Sequence, residues 1–75
     1  MSDEKVERII VTVDDRYLST IESVVTALES AGMTIELVLP ISGIITGEVA
    51  RSKLEGLKSV PGVFDVEIDL NMKAI

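Results

Sequence analysis

The apolar residues of this chain change their spacing as one reads along it, from the two-residue period of a strand to the three-and-four-residue period of a helix and back, twice within 75 residues. That alternation restricts the chain to the order β-α-β-β-α-β. Val6–Val13 (Val-Glu-Arg-Ile-Ile-Val-Thr-Val) is rich in β-branched residues and too short for an average helix. Ile9, Val11 and Val13 share one face, and Val6, Arg8, Ile10 and Thr12 share the other, so both faces carry apolar groups, as suits a central strand. Asp14 and Asp15 then place N-cap oxygens and negative charge where a helix leaves amide groups unpaired. Leu18, Ile21, Val24, Val25 and Leu28 follow at helical spacing, with Arg16, Glu22 and Glu29 on the opposite side. Gly32 stands where such a helix would end on a left-handed residue.

The second half repeats the alternation. Met33–Leu39 predicts a half-buried strand, with Met33, Ile35, Leu37 and Leu39 inward and Thr34, Glu36 and Val38 outward. Pro40-Ile41-Ser42-Gly43 is turn chemistry leading into Gly43–Val49, so the pair reads as a hairpin. Ile45, Gly47 and Val49 fall inward there, the small Gly47 making room for a helix, and Ile44, Thr46 and Glu48 fall outward. A helix from about Ala50 to Ser59 buries Ala50, Leu54 and Leu57, and Pro61-Gly62 turns the chain into a last strand, Val63–Leu70. Its alternation directs Phe64, Val66, Ile68 and Leu70 inward and Asp65, Glu67 and Asp69 outward.

With right-handed crossovers this order predicts an α+β, ferredoxin-like βαββαβ two-layer sandwich: a four-stranded antiparallel sheet of order 4-1-3-2 with two helices on one face. One domain is expected over residues 1–75, with 1–5 and 71–75 expected as flexible termini. A core of this size rarely leaves more than about 3–5 kcal/mol of net stability, so a partner or a homo-oligomer would help.

Several functions are disfavoured by composition. Thirteen acids against seven bases give a net charge of −6, which repels phosphate backbones and anionic lipid, and Tyr17 and Phe64 are the only aromatics. Nucleic acid and membranes are therefore poor partners, and no apolar run approaches membrane-spanning length. Without Cys or His the usual transition-metal ligands are missing, and Ser and Thr have no histidine base. No metal site, cofactor or catalytic residue is expected. A polar start, Met-Ser-Asp-Glu-Lys, places the chain in the cytoplasm by default.

What is left is the sheet face opposite the helices. The phasing puts Ile10, Thr12, Val38, Ile44 and Thr46 near its middle, with Glu36, Glu48, Asp65, Glu67 and Asp69 around them. Ile10 and Ile44 belong to adjacent strands and should touch, making an apolar centre with an acidic rim, the anatomy of an interface. The alternating acids of the last strand are spaced roughly 7 Å apart, too far for one compact calcium shell, and are better read as keeping an edge strand soluble.

Val60-Pro61-Gly62-Val63, followed by Val66-Glu67-Ile68-Asp69, resembles the end of the subtilisin-propeptide family of peptidase inhibitors, where a helix passes through a similar turn into the last strand. The likeness in element order runs from Val6 to Leu70. It implies that the open face packs on helices of a protease, with Glu36 and Glu48 capping them and Met72 to Ile75 entering the cleft. The expectation for a chain without the family's protease domain is a stand-alone intracellular inhibitor or chaperone-like module. The chain is also similar to short proteins that carry a ketohydroxyglutarate aldolase name. Such aldolases resemble (β/α)₈ barrels of about 250 residues, which this chain is too short to build. The expected function is thus non-catalytic protein binding, to itself or to a subtilisin-like protease. Two alternatives are a small-ligand regulatory domain of ACT type, with its site at the turn Val13-Asp14-Asp15-Arg16, and a Schiff-base enzyme using Lys53 or Lys58.

Overall fold

A computed structural model describes residues 5–69. Strand β1 (Val6–Val13) leads through a 3₁₀ segment (Asp15–Thr20) into helix α1 (Ile21–Ser30). Strands β2 (Thr34–Leu39) and β3 (Ile44–Ala50) form the hairpin. A short 3₁₀ turn (Arg51–Lys53) then enters helix α2 (Leu54–Leu57), and strand β4 (Val63–Ile68) closes the chain. The fold is α+β, with one open, antiparallel four-stranded sheet of order β2-β3-β1-β4, which counted from the other edge is 4-1-3-2.

The core lies between one face of the sheet and the helices. Ile9, Val11 and Val13 of β1 and Ile45 and Val49 of β3 are buried against Ile21, Val24 and Leu28 of α1 and Leu57 of α2, with Met33 and Val66 completing the cluster. The two-residue alternation of β1 and β3 therefore runs as the sequence predicts. The end of α1 also follows its local signal. Gly32 takes φ 109°, its N–H donates to the Glu29 carbonyl at 3.0 Å, and the Met33 N–H donates to the Leu28 carbonyl at 3.0 Å. These two bonds are a Schellman cap, and Leu28 and Met33 are buried together beneath it.

The helices are shorter than their patterns suggest. Asp14 does cap the first segment, accepting from the Arg16 N–H at 2.9 Å, but six residues pass as 3₁₀ before the α-helix begins at Ile21. Ser19 and Thr20 are weak helix formers, and the Thr20 hydroxyl donates back to the Tyr17 carbonyl at 3.3 Å. Ala50 belongs to β3 rather than to a helix, and α2 is a single turn. Gly47 makes room not for a helix but for the backbone of β2, whose Thr34 and Ile35 pass directly beside it.

Both edge strands contain a bulge, and each bulge overturns part of the predicted facing. In β2 the register shifts between Ile35 and Leu37, so that Ile35 pairs with Gly47, Leu37 with Thr46, Val38 with Ile45 and Leu39 with Ile44. Val38 thus turns inward and packs on the core, while Leu37 and Leu39 are exposed. In β4 the shift lies beside Val13, which pairs with Val63. Val63 takes the inward place opposite Val13, and Phe64, expected in the core, is 71% exposed. A bulge sets two residues against one across the ladder, which reverses the parity of everything beyond it. Bulged edges are also poor templates for strand addition. The predicted inward Leu70 and the tail Met72 to Ile75 lie outside the described residues.

Candidate functional site: the open face of the sheet

The ladder sets out the uncovered face in cross-strand rows. Leu39, Ile44, Thr12 and Asp65 form the first, and Leu37, Thr46, Ile10 and Glu67 the second. Thr34, Glu48 and Arg8 form the third, which Asp69 joins by donating its N–H to the Arg8 carbonyl at 2.8 Å. Read this way the face is two-sided. Leu37, Leu39, Ile44 and Ile10 make a contiguous aliphatic patch toward the β2 edge, with Thr12 and Thr46 filling between them. Asp65, Glu67 and Asp69 run down the β4 edge.

Of the residues expected here, Ile10, Thr12, Ile44, Thr46, Glu36 and Glu48 lie on this face. Val38 does not, because the β2 bulge rotates it to the core. The residues that the strand alternation misplaced are Leu37, at 51% exposure, and Leu39, at 40%. One sequence signal bears on them: apolar residues occur at both parities in Ile35–Leu39, so one parity had to be left outside whichever way the strand faced.

Arg8 organises the polar end of the face. Its guanidinium grips the Glu36 carboxylate with two bonds, Nη1 to Oε2 at 3.0 Å and Nη2 to Oε1 at 2.6 Å, and reaches Glu48 Oε2 at 3.3 Å. The side-chain hydrogen bond to Glu36 holds the Arg8 pKa above its ordinary value; partial desolvation opposes it, and the charges of Glu36, Glu48 and Asp69 add to it. The bulge lets β2 present Glu36 to this cation, and Glu36 and Glu48 both pair with Arg8.

Where β1 leaves the sheet, a depression of about 280 Å³ opens among Thr12, Val13, Asp14, Asp15 and Phe64. It is tied in place by backbone bonds from Val13 N–H to the Gly43 carbonyl and from Asp14 N–H to the Gly62 carbonyl, each 2.8 Å. Asp14 is engaged by Arg16, whose Nε and Nη2 lie 3.3 and 3.4 Å from its carboxylate oxygens. The side-chain bond from Arg16, then its backbone N–H, hold the Asp14 carboxyl below the usual carboxylate range.

The two lysines weighed as Schiff-base residues lie on the surface around α2, Lys58 pairing with Glu55 at 3.5 Å. Both side chains are solvent-exposed, whereas imine chemistry needs a desolvated amine. Among the described residues no cluster of three or more acids is placed to hold a metal ion, and no helix is long and apolar enough to cross a membrane. No protein-family model matches the chain, and no curated protein or solved structure matches it either.

Proposed function

We propose that the chain is a non-catalytic binding module of ferredoxin-like architecture that docks on a separate protein through the open face of its sheet. The partner class is a subtilisin-like protease, and the mode is that of a propeptide-like inhibitor or chaperone, acting in the cytoplasm. The β-α-β-β-α-β order, the sheet order and a core confined to one face support the ferredoxin-like reading. The observation that carries the functional reading is the patch of Leu37, Leu39, Ile44 and Ile10. Single exposed aliphatic residues are ordinary, but here exposed Leu37 and Leu39 adjoin half-buried Ile44 and Ile10 across three strands, rimmed by charge, which is the composition of an interface. The protease assignment rests on the resemblance of the Val60-Pro61-Gly62-Val63 turn and the strand after it. A heterologous partner is favoured over a second copy because face-to-face pairing would bring together two acidic edges of a chain already at net charge −6.

The test is inhibition of a subtilisin-class protease by the wild-type chain and by Ile44→Lys and Leu37→Lys, with light scattering on each. Inhibition by the wild type that both folded variants lose supports the reading. A wild type that neither inhibits nor slows the protease refutes the protease partner, and a doubled mass in that case would assign the face to a second copy.

A further inference from the structure

We propose that the segment after Asp69, Leu70 to Ile75, folds back over the open face and covers the row of Leu37, Thr46 and Ile10 while no partner is docked. Leu37 is 51% exposed, and the row it begins carries most of the aliphatic patch toward the middle of the sheet. Where the chain leaves the sheet decides what can reach that row. The Asp69 N–H donates to the Arg8 carbonyl at 2.8 Å, so the segment starts beside the row of Arg8 and Glu48, one row from Ile10. Strands lie ~4.8 Å apart and rows ~6.8 Å apart, which puts Ile10 roughly 8 Å from Asp69, Thr46 roughly 12 Å and Leu37 roughly 16 Å. The residues from Leu70 to Ile75 span at most about 20 Å when extended, enough to take in all three.

The sequence of the segment fits that path. β4 runs from the row of Asp65 to that of Asp69, away from the patch, and Asn71 is a residue type that tolerates a tight reversal directly after the exit. Met72 and Ile75 then supply the apolar side chains, the first for Ile10 and the second for Thr46 and Leu37. Lys73 brings a cation to a face on which Glu67, the ladder partner of Ile10, has no ion pair among the described residues. Other occupants fit less well. A second copy would bring two acidic edges together. A separate peptide would lose translational freedom on binding, whereas a tethered segment meets the patch at roughly millimolar effective concentration. So short a cover buries far less than a protein interface, and a docking protein displaces it. This regulatory meaning rests on the docking function proposed above; the contact itself requires no partner.

The chain has no cysteine, so Ala74→Cys carries a single nitroxide label. In ¹H–¹⁵N spectra of the labelled full chain, the amide peaks of Ile10, Thr46 and Leu37 should be lost and should return when the nitroxide is reduced. Peaks of α1, on the opposite face, should stay sharp. Adding Met72→Asp and Ile75→Asp to the labelled chain should restore most of the lost intensity. Mixing labelled ¹⁴N chain with unlabelled ¹⁵N chain separates a segment on its own face from one on a second copy, and no loss is expected in the mixture. Equal losses on both faces of the sheet, no loss at all, losses that persist with the two aspartates, or losses in the mixture would overturn the cover. No protease enters this experiment, so its failure leaves the docking reading standing, and a failure of protease inhibition leaves the cover standing.

Discussion

The same substitution, glycine to alanine, should act in opposite directions at Gly47 and Gly56. Gly47 lies in the middle of β3, opposite Ile9 on one side and Ile35 on the other. A methyl group there would collide with the Thr34 carbonyl oxygen and lie 3.0 Å from the Thr34 carbonyl carbon and 3.1 Å from the Ile35 Cα, where ordinary contact begins at 3.4 Å. These are backbone atoms of a paired strand, so no rotamer change relieves them and β2 must move away. Overpacking of this kind costs about 1–3 kcal/mol, and loosening one neighbouring ladder bond adds about 1 kcal/mol, for a total of roughly 2–4 kcal/mol. That approaches the ~3–5 kcal/mol available to a core of this size, so Gly47→Ala should be largely unfolded in mild denaturant. Gly56 sits in α2 without a positive φ, and nothing lies within 4 Å of the corresponding methyl position. There the loss of unfolded-state freedom dominates, and Gly56→Ala should gain about 0.4–1 kcal/mol. Urea unfolding followed by far-ultraviolet circular dichroism measures both midpoints. A Gly47→Ala midpoint at or above the wild-type value would refute the close approach of β2.

Two further outcomes concern charge. Arg8→Ala removes the cation shared by Glu36 and Glu48, leaving their carboxylates facing each other near Asp69. Its urea midpoint should fall at low ionic strength and recover toward wild type in high salt, whereas an equal loss at both salt levels would show that the guanidinium acts by packing instead. Asp14 titrates lower folded than unfolded, so its contribution is fully present above the ordinary carboxylate value of 3.8 and is lost as pH falls through the depressed folded value. Asp14→Asn keeps an oxygen for the Arg16 N–H but removes that titration, so its stability should fall less steeply than that of wild type below about pH 4. Identical acid limbs in the two proteins would contradict the assignment.

Much of the fold was legible in the sequence because it is specified locally. The strand parity of β1 and β3, the Asp14 cap, the Gly32 terminus and the Pro61-Gly62 turn each depend on a few adjacent residues, and each lies where its local pattern put it. The open face was legible for the same reason on the two central strands, where Ile10, Thr12, Ile44 and Thr46 need only correct alternation. The edge strands were not. Whether β2 slips by one residue at Glu36 depends on how its backbone meets Gly47 and how Glu36 meets Arg8, and both partners lie on other strands. The slip at Phe64 likewise depends on Val63 reaching the place opposite Val13. Local alternation carries no information about such cross-strand fits, yet each one reverses the facing of the residues beyond it. Sequence alone therefore determined the order of elements and which side of the sheet would be bare. Tertiary structure decided what that side displays: Leu37 and Leu39 in place of Val38, glutamates held by Arg8, and a phenyl ring turned outward beside two aspartates.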